Sequence, residues 1–422
     1  MIEQLIIILV ILNISLMLVI LKPFNLGLLS FKSLFFIFFV LSIVKDLKGY
    51  YEYKHVQDYD LILISFYTGT IIGLLYLYLI VSLTRINTQN RFKIILEKFE
   101  NMVHRYSAVK LWLLYILAVM VSSIPGYFII ITSGDVLGYR KLVQLGGLGL
   151  PYIYLFISTI VKLLFILLIL KHLRDGKMLI GLIILIIALI YAIPYGSNSF
   201  TMSFILIFII LYTEVIRKGN VSFRFYSFIA ILSMLIIFLI SIQYLLRWGL
   251  PYSVSEINIA LIINIFLNRF FENYFGLFLE RFDYEFLYGL SFLHLFLQPI
   301  PRFIFPEKPY LTDDYITYKY FFEQNALLQF GAIAEGYINF GILGAFLWGF
   351  MASFAITGFV ILRYVNVFFY IFTTISITQG ILGFDFGVNR YFMTSLIYNL
   401  IFIPFAIILV RRLCGIKRRK FF

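Results

Sequence analysis

The sequence predicts an all-α protein, a polytopic bundle of about eleven membrane-crossing helices, and three observations lead there. Of 422 residues, 62% are apolar and 13% charged, against about 45–50% and about 25% in an ordinary soluble domain. The apolar residues fall in runs near the length a helix needs to cross a bilayer, about 20 residues. Lys and Arg gather in alternate connections between those runs, as expected of connections held on one side of a membrane. This composition excludes a soluble globular enzyme and a disordered tail.

Taken in order, the runs place spans at 4–21, 26–44, 60–83, 111–133, 151–170, 178–194, 198–213, 225–246, 337–361, 364–384 and 391–410. The first lacks the basic start and small-residue cleavage site of a signal peptide, so it reads as an uncleaved span. The sixth and seventh are short and meet at Tyr195-Gly196-Ser197. Segments 84–110, 171–177 and 214–224 and the C-terminal tail carry Lys/Arg clusters, which assigns them to the cytoplasm. Of 21 acids, only Glu97, Glu100, Asp175 and Glu214 share that side. The N-terminus is therefore expected outside and the C-terminus inside. The net charge of +13 reflects topology, and no nucleic-acid partner is expected.

Residues 247–336 break the pattern of short connections and form one large outward loop within a single integral-membrane domain of 1–422. Long loops in compact folds are usually functional. Its ten acids exceed its six bases, and it holds 23 aromatics. Stretch 257–283 reads as an amphipathic helix lying in the interface plane. A second apolar stretch, 286–298, leads to Pro299, Pro301, Pro306 and Pro309. Prolines at that density fix φ and give a stiff extended segment.

The chemistry available is narrow. One cysteine, Cys414, excludes a disulfide framework, and four scattered histidines show no metal-ligand spacing, so no metal site is assigned. Only Lys32 and Lys162 lie well inside spans, with no mid-span acid to relay ions. Asp58-Tyr59-Asp60 is similar to the metal-holding Asp-x-Asp of many glycosyltransferases, but acids at a helix start are favoured by the dipole alone. His294, the one His of the long loop, is a candidate base. Arg140, Arg247, Arg302, Lys308 and Arg390 are outward cations that run against the topology bias. Arginine forks match phosphate oxygens bidentately, which suits a lipid pyrophosphate. Pairing with acids, such as Arg390 with Asp385, is the competing reading. Glu335 directly precedes the ninth span and is the candidate general base; its competing reading is an acid that satisfies a helix N-terminus. Gly336 beside it leaves room for a substrate.

The run YGLSFLHLFLQPIPRFIFPEKP followed by AEGYINFGILGAFLWGF resembles the bacterial O-antigen and oligosaccharide repeat-unit polymerases of the Wzy type. Glu335, Tyr337, Asn339, Phe340 and Gly341 match the family's Glu-x-Tyr-x-Asn-Phe-Gly lead-in to a span, and Pro301-Arg302 with Lys308-Pro309 match the segment before it. Motif-level likeness covers about residues 284–345. The chain departs from related enzymes at Gly196-Ser197-Asn198-Ser199, where many carry an Arg. The resemblance implies en bloc transfer of a glycan from undecaprenyl pyrophosphate to a new lipid-linked repeat outside the membrane. It further implies Tyr337 and Asn339 as glycan-binding residues, no cofactor, fixed cations in place of a metal, and a flippase and a chain-length regulator as partners. Three other readings stay open: an O-antigen ligase, a polyprenyl-phosphate-dependent glycosyltransferase relying on Asp58 and Asp60, and a flippase for lipid-linked oligosaccharides.

Overall fold

The computed structural model describes residues 2–22, 30–83, 88–133, 150–195, 198–217, 274–297, 312–321, 330–376 and 394–415, with a few isolated positions between them. Among the described residues every regular element is helical. In chain order these are α1 (Ile2–Leu21), α2 (Phe31–Tyr53), α3 (Tyr59–Leu83), α4 (Thr88–His104), α5 (Ala108–Ser133), α6 (Leu150–Arg174), α7 (Met178–Ala192) and α8 (Asn198–Leu211). There follow α9 (Tyr274–Arg281), α10 (Leu290–Leu297), α11 (Thr312–Lys319), α12 (Gly331–Leu362), α13 (Val367–Ile375) and α14 (Thr394–Leu413). Among the described residues five helices, α1, α3, α5, α6 and α12, are long and apolar enough to cross a membrane. Among the described residues the fold is all-helical, and its long apolar helices are those of a membrane protein.

The expected spans 4–21, 60–83 and 111–133 coincide closely with α1, α3 and α5. The second differs: α2 starts at Phe31 and runs on to Tyr53, because Ser30 caps its N-terminus and Lys45, Asp46, Lys48 and Glu52 continue the helix past the apolar run. α4 is amphipathic and buries Phe92, Ile95, Leu96 and Phe99 inside a segment that the charge pattern marked only as basic. Helices α7 and α8 flank residues 196–197, where the expected turn lies outside the described residues; at 15 and 14 residues each reaches only about 21–23 Å. The expected span 225–246, apart from three positions, and parts of 364–384 and 391–410 lie outside the described residues.

Two compact units divide the chain. The second, 106–146 with 150–272, packs α5 against α6, α6 against α7 and α7 against α8. Side chains lock it: Trp112 Nε1 donates to His172 Nε2 at 2.9 Å, and the Tyr115 hydroxyl to the Ile184 carbonyl at 3.2 Å. After α8 the helix widens by one residue per turn over Tyr212–Ile216, where Arg217 N reaches the Tyr212 carbonyl at 3.0 Å.

The first unit comprises 1–105 and 273–422 with 147–149. Its centre is the pairing of α3 with α12. Lipid tails are as apolar as leucine, so helices in a bilayer gain from close backbone approach through small residues. Gly69 and Gly73, one turn apart on α3, supply one side; Gly349 and Ser353 supply the other. A Cβ built on Gly73 lies 2.6 Å from the Phe350 carbonyl, and one on Gly349 lies 3.1 Å from Thr70 N. α1 lies along the same pair. Asn13, buried, donates to the Tyr67 carbonyl at 3.1 Å and accepts from the Thr70 hydroxyl at 2.6 Å, while Thr357 donates to Met17 Sδ at 3.8 Å. These pairings run α1, α3 and the later part of α12 in one direction.

Contacts near the two ends of this unit join segments far apart in sequence. At one end Phe92 of α4 stacks edge-on with Tyr364 at 5.0 Å, Lys32 sits 4.3 Å over the Tyr364 ring, and buried Arg363 sits 3.9 Å over Tyr370. Arg363 also donates to Thr374 Oγ1 at 2.7 Å. At the other end Tyr51 bonds Glu3 at 2.8 Å and Tyr59 packs on Phe275 of α9.

The α3–α12 seam has no slack for added volume, and overpacking costs about 1–3 kcal/mol. Gly349→Leu should therefore lower the melting temperature and yield of the detergent-purified protein. Gly358→Leu, whose new Cβ meets nothing within 4 Å, should change neither. Equal melting of the two variants, measured by thermal unfolding, would remove this account of the seam.

Candidate functional site

The Glu335–Gly341 motif does not lead into one straight span. α12 is broken: Phe340 (φ −143°, ψ 21°) and Gly341 (φ 64°, ψ −148°) leave the helical region, and the chain turns back on itself. Gly341 occupies a backbone region that is essentially closed to residues with a Cβ. Residues 331–339 form a short half-helix, and 342–362 form the membrane-length one. In a continuous helix Glu335 and Trp348 would stand about 20 Å apart. Here the Trp348 indole Nε1 donates to Glu335 Oε2 at 3.0 Å.

That fold-back places Glu335 in an enclosed position, 1% exposed. The room expected beside Gly336 is taken: a Cβ there lies 2.7 Å from Trp348 Cβ and also meets the Gly344 carbonyl. Gly336 thus admits the second half-helix, and the expectation that it leaves space for substrate is corrected. Burying a carboxylate in a helix bundle is expensive unless it is hydrogen-bonded; the indole N–H supplies one such bond, of the charge-assisted kind worth about 1.5–3 kcal/mol.

One turn on, Asn339 ties the half-helix to two segments of the long loop. Its Nδ2 donates to the Glu335 carbonyl at 2.6 Å and to Ser291 Oγ at 2.7 Å, and lies 3.3 Å from Thr312 Oγ1. Ser291 Oγ lies 2.9 Å from Asn339 Oδ1, and the Thr312 hydroxyl donates to Ser291 at 2.9 Å. All three side chains are buried. α10 and α11 are in this way fastened to the motif through one amide. The carbonyl of Ile338, freed by the break, accepts from Leu287 N at 2.8 Å. A Cβ on Gly289 would lie 2.8 Å from the Phe340 ring, so the turn at Tyr288-Gly289 lies against that ring.

Tyr337 faces the aromatic part of the loop. Its hydroxyl accepts from Tyr284 at 2.7 Å, and its ring lies 5.9 Å from Phe275 and 5.7 Å from Phe286. Burial, the bond to Tyr337 and the nearby Asp58 raise the Tyr284 hydroxyl well above the usual phenol range. Lys319 at the end of α11 donates to the Tyr315 hydroxyl at 2.7 Å and to Glu285 at 3.1 Å, and both bonds hold its ammonium above the ordinary lysine range.

Of the residues singled out in the sequence, the structure brings Glu335, Tyr337 and Asn339 together on one half-helix. Arg140, Arg247, Arg302, Lys308 and Arg390 lie outside the described residues. His294 belongs to the backbone of α10, and its side chain lies outside them as well. Asp58 sits in a left-handed turn (φ 63°) just before α3, and its carbonyl accepts from Ile62 N at 3.0 Å. Among the described residues no group of three or more His, Cys, Asp or Glu converges on one point. Ser291, Thr312, Tyr284 and Trp348 were missed because their roles come from the fold-back. The one sequence signal for it was the Asn-Phe-Gly stop inside an apolar run, since Asn and Gly mark helix ends.

No family model matches the sequence, and neither a curated protein nor a solved structure matches it.

Asn339→Leu keeps approximate size but removes the acceptor of the buried Ser291 hydroxyl and the amide that donates to Ser291 and Thr312. Unfastening them costs about 1–3 kcal/mol, so tryptic cleavage after Lys319 and Arg281 should speed up about tenfold under conditions where the helices stay folded. Unchanged cleavage in a limited-proteolysis time course would show that the amide does not hold the loop.

Proposed function

We propose that the protein polymerises lipid-linked oligosaccharide repeats on the outer face of a bacterial cytoplasmic membrane, as a metal-independent glycosyltransferase. The observation that carries this reading is the Glu335–Gly341 motif. It forms a broken half-helix with an enclosed carboxylate, at the end of the first unit where aromatic loop segments dock. Non-helical backbone and buried charge at membrane depth are tolerated where they serve a site, and it is this motif that resembles the polymerases.

In this reading the donor is a glycan on undecaprenyl pyrophosphate and the acceptor a single lipid-linked repeat. An acceptor hydroxyl attacks the donor's anomeric carbon. A new glycosidic C–O bond forms, the bond to the lipid pyrophosphate breaks, and charge develops as in an oxocarbenium ion. Arg302 and Lys308, with Arg140, Arg247 and Arg390, are the cations assigned to the leaving pyrophosphate. Glu335 takes the acceptor proton. Its enclosure behind Trp348 means that the indole must yield when the acceptor arrives. Tyr337 and Asn339 shape the glycan side, Asn339 by holding α10 and α11 in place.

Deleting the gene should leave surface glycan as lipid-anchored single repeats, seen as collapse of the ladder on a gel. Loss of all attached glycan would instead mark a ligase, and repeats trapped inside would mark a flippase. Glu335→Gln still accepts from Trp348 through its amide oxygen but takes no proton at neutral pH. It should accumulate and melt like the wild type yet leave mostly single repeats, a loss of chain extension on the order of 100-fold. Normal polymer length from that variant would reduce Glu335 to a structural clasp and put His294 next as the base.

A further inference from the structure

The burial pattern of α10 is inverted. Apart from Ser291 and His294 its sequence is wholly apolar, with no acid, lysine or arginine. Its hydroxyl side chain is turned inward: Ser291 is fully buried and bonded to Asn339 of the half-helix and to Thr312 of α11. Two of its leucines are turned outward. Leu290 is 53% exposed and Leu293 is exposed as well; three residues apart, they share a face. Just before the helix Tyr288 stands in the left-handed region (φ 46°), where bulky residues are rare, and its ring is 80% exposed. The turn bears that strain and leaves an aromatic ring outside the protein.

This face adjoins a second one. On the long half of α12, Leu343 and Leu347 are exposed one turn apart, with exposed Phe340 at the break before them. A Cβ built on Gly289 lies 2.8 Å from the Phe340 ring, so the turn that starts α10 rests on the residue that starts this stripe. Depth follows from length. Residues 342–362 make a helix about 31 Å long, which matches the ~30 Å of bilayer hydrocarbon. In a bilayer Phe340 therefore lies at the edge of the hydrocarbon, and α10 lies there with it.

We propose that α10 is a lipid-binding element. Its Leu290–Leu293 face and the Tyr288 ring sit in the leaflet beside the first turn of the long half of α12, against the head-group ends of phospholipid acyl chains. Water is the wrong cover, since it would surround adjoining apolar side chains while the helix's buried hydroxyl faces inward. A second copy of the chain fits poorly: α10 is about 12 Å long, and a stable interface takes about 800 Å² from each partner. Acyl chains accept the leucines and require that polar groups be satisfied within the protein. They are so satisfied: Ser291 bonds Asn339 at 2.9 Å, and the Ile338 carbonyl accepts from Leu287 N at 2.8 Å. A tyrosine ring at this depth belongs to the head-group belt. Such anchoring is independent of the reaction proposed above; it sets the Glu335 half-helix at head-group level whatever the chemistry there.

The test uses the full chain in phospholipid vesicles with a trace of phosphatidylcholine carrying a diazirine near the head-group end of one acyl chain. After illumination and trypsin digestion, peptide 282–302, released by cleavage after Arg281 and Arg302, should carry lipid adducts at Tyr288, Leu290 or Leu293. Peptide 320–363 should carry them at Leu343. An unmodified 282–302 beside a modified 320–363 overturns the proposal. No substitution is needed, so this result stands where a variant fails to accumulate. A second measurement places nitroxide labels on Leu293→Cys, Leu343→Cys and Glu285→Cys in a Cys414→Ser background. Oxygen serves as the lipid-soluble relaxant and a neutral nickel chelate as the water-soluble one. Glu285 is charged and 84% exposed, which makes it the aqueous reference. The oxygen-to-nickel accessibility ratio at Leu293 should shift from the Glu285 value to the Leu343 value. A ratio like that at Glu285 means that water covers α10 and overturns the proposal. Shielding from both reagents overturns it too, marking a protein cover, which is a second copy where the shielding vanishes at one chain per nanodisc.

Discussion

A helix interrupted inside a bilayer must find partners within the protein for every backbone group it frees, because hydrocarbon offers none. The first unit is organised around that constraint at Phe340-Gly341. The Ile338 carbonyl is answered by Leu287 N, and Asn339 turns its amide back to the Glu335 carbonyl while reaching forward to Ser291 and Thr312. The loop segments therefore do more than cover the motif. They complete its hydrogen bonding, so the half-helix and the loop stand or fall together. Trp348 closes the arrangement by joining the two half-helices through the Glu335 carboxylate.

The same unit shows how packing replaces the hydrophobic effect where lipid surrounds the helices. Gly69, Gly73, Gly349 and Ser353 bring α3 and α12 to backbone contact, and Asn13 with Thr70 adds a polar tie from α1. This seam is the rigid platform on which the half-helix rests. At the end away from it, aromatic rings enclose the cationic heads of Arg363 and Lys32. Cation–π contacts and threonine hydroxyls compensate the guanidinium where water is excluded.

Helix existence was legible in the sequence wherever an apolar run stood free of competing charge. α1, α3 and α5 fall where the hydropathy runs put them, within a few residues. α2 extends further because a helix ends where its hydrogen bonding ends, and Lys45 to Glu52 carry it on without apolar side chains. The pairing Gly69-x3-Gly73 against Gly349-x3-Ser353 was present in the sequence as two small-residue motifs, but nothing local says that they face each other. The break was hidden more deeply. Gly341 sits inside an apolar run that reads as the start of a span; the Asn-Phe-Gly stop was its one sequence signal, and the positive φ of Gly341 makes the turn plain.

Glu335, Tyr337 and Asn339 were chosen from a motif, and their shared half-helix gives the motif a physical meaning. Asn339 fastens the loop, Tyr337 meets its aromatic part, and Glu335 holds the fold-back. Everything proposed for the site depends on that fold-back existing in a bilayer. The direct test is a solid-state NMR dipolar-recoupling measurement in lipid between the Trp348 indole nitrogen, labelled with ¹⁵N, and the Glu335 side-chain carboxyl carbon, labelled with ¹³C. Strong dephasing from a separation of about 4 Å is the result the hydrogen bond predicts. No dephasing, as for the about 20 Å of an unbroken helix, would contradict it.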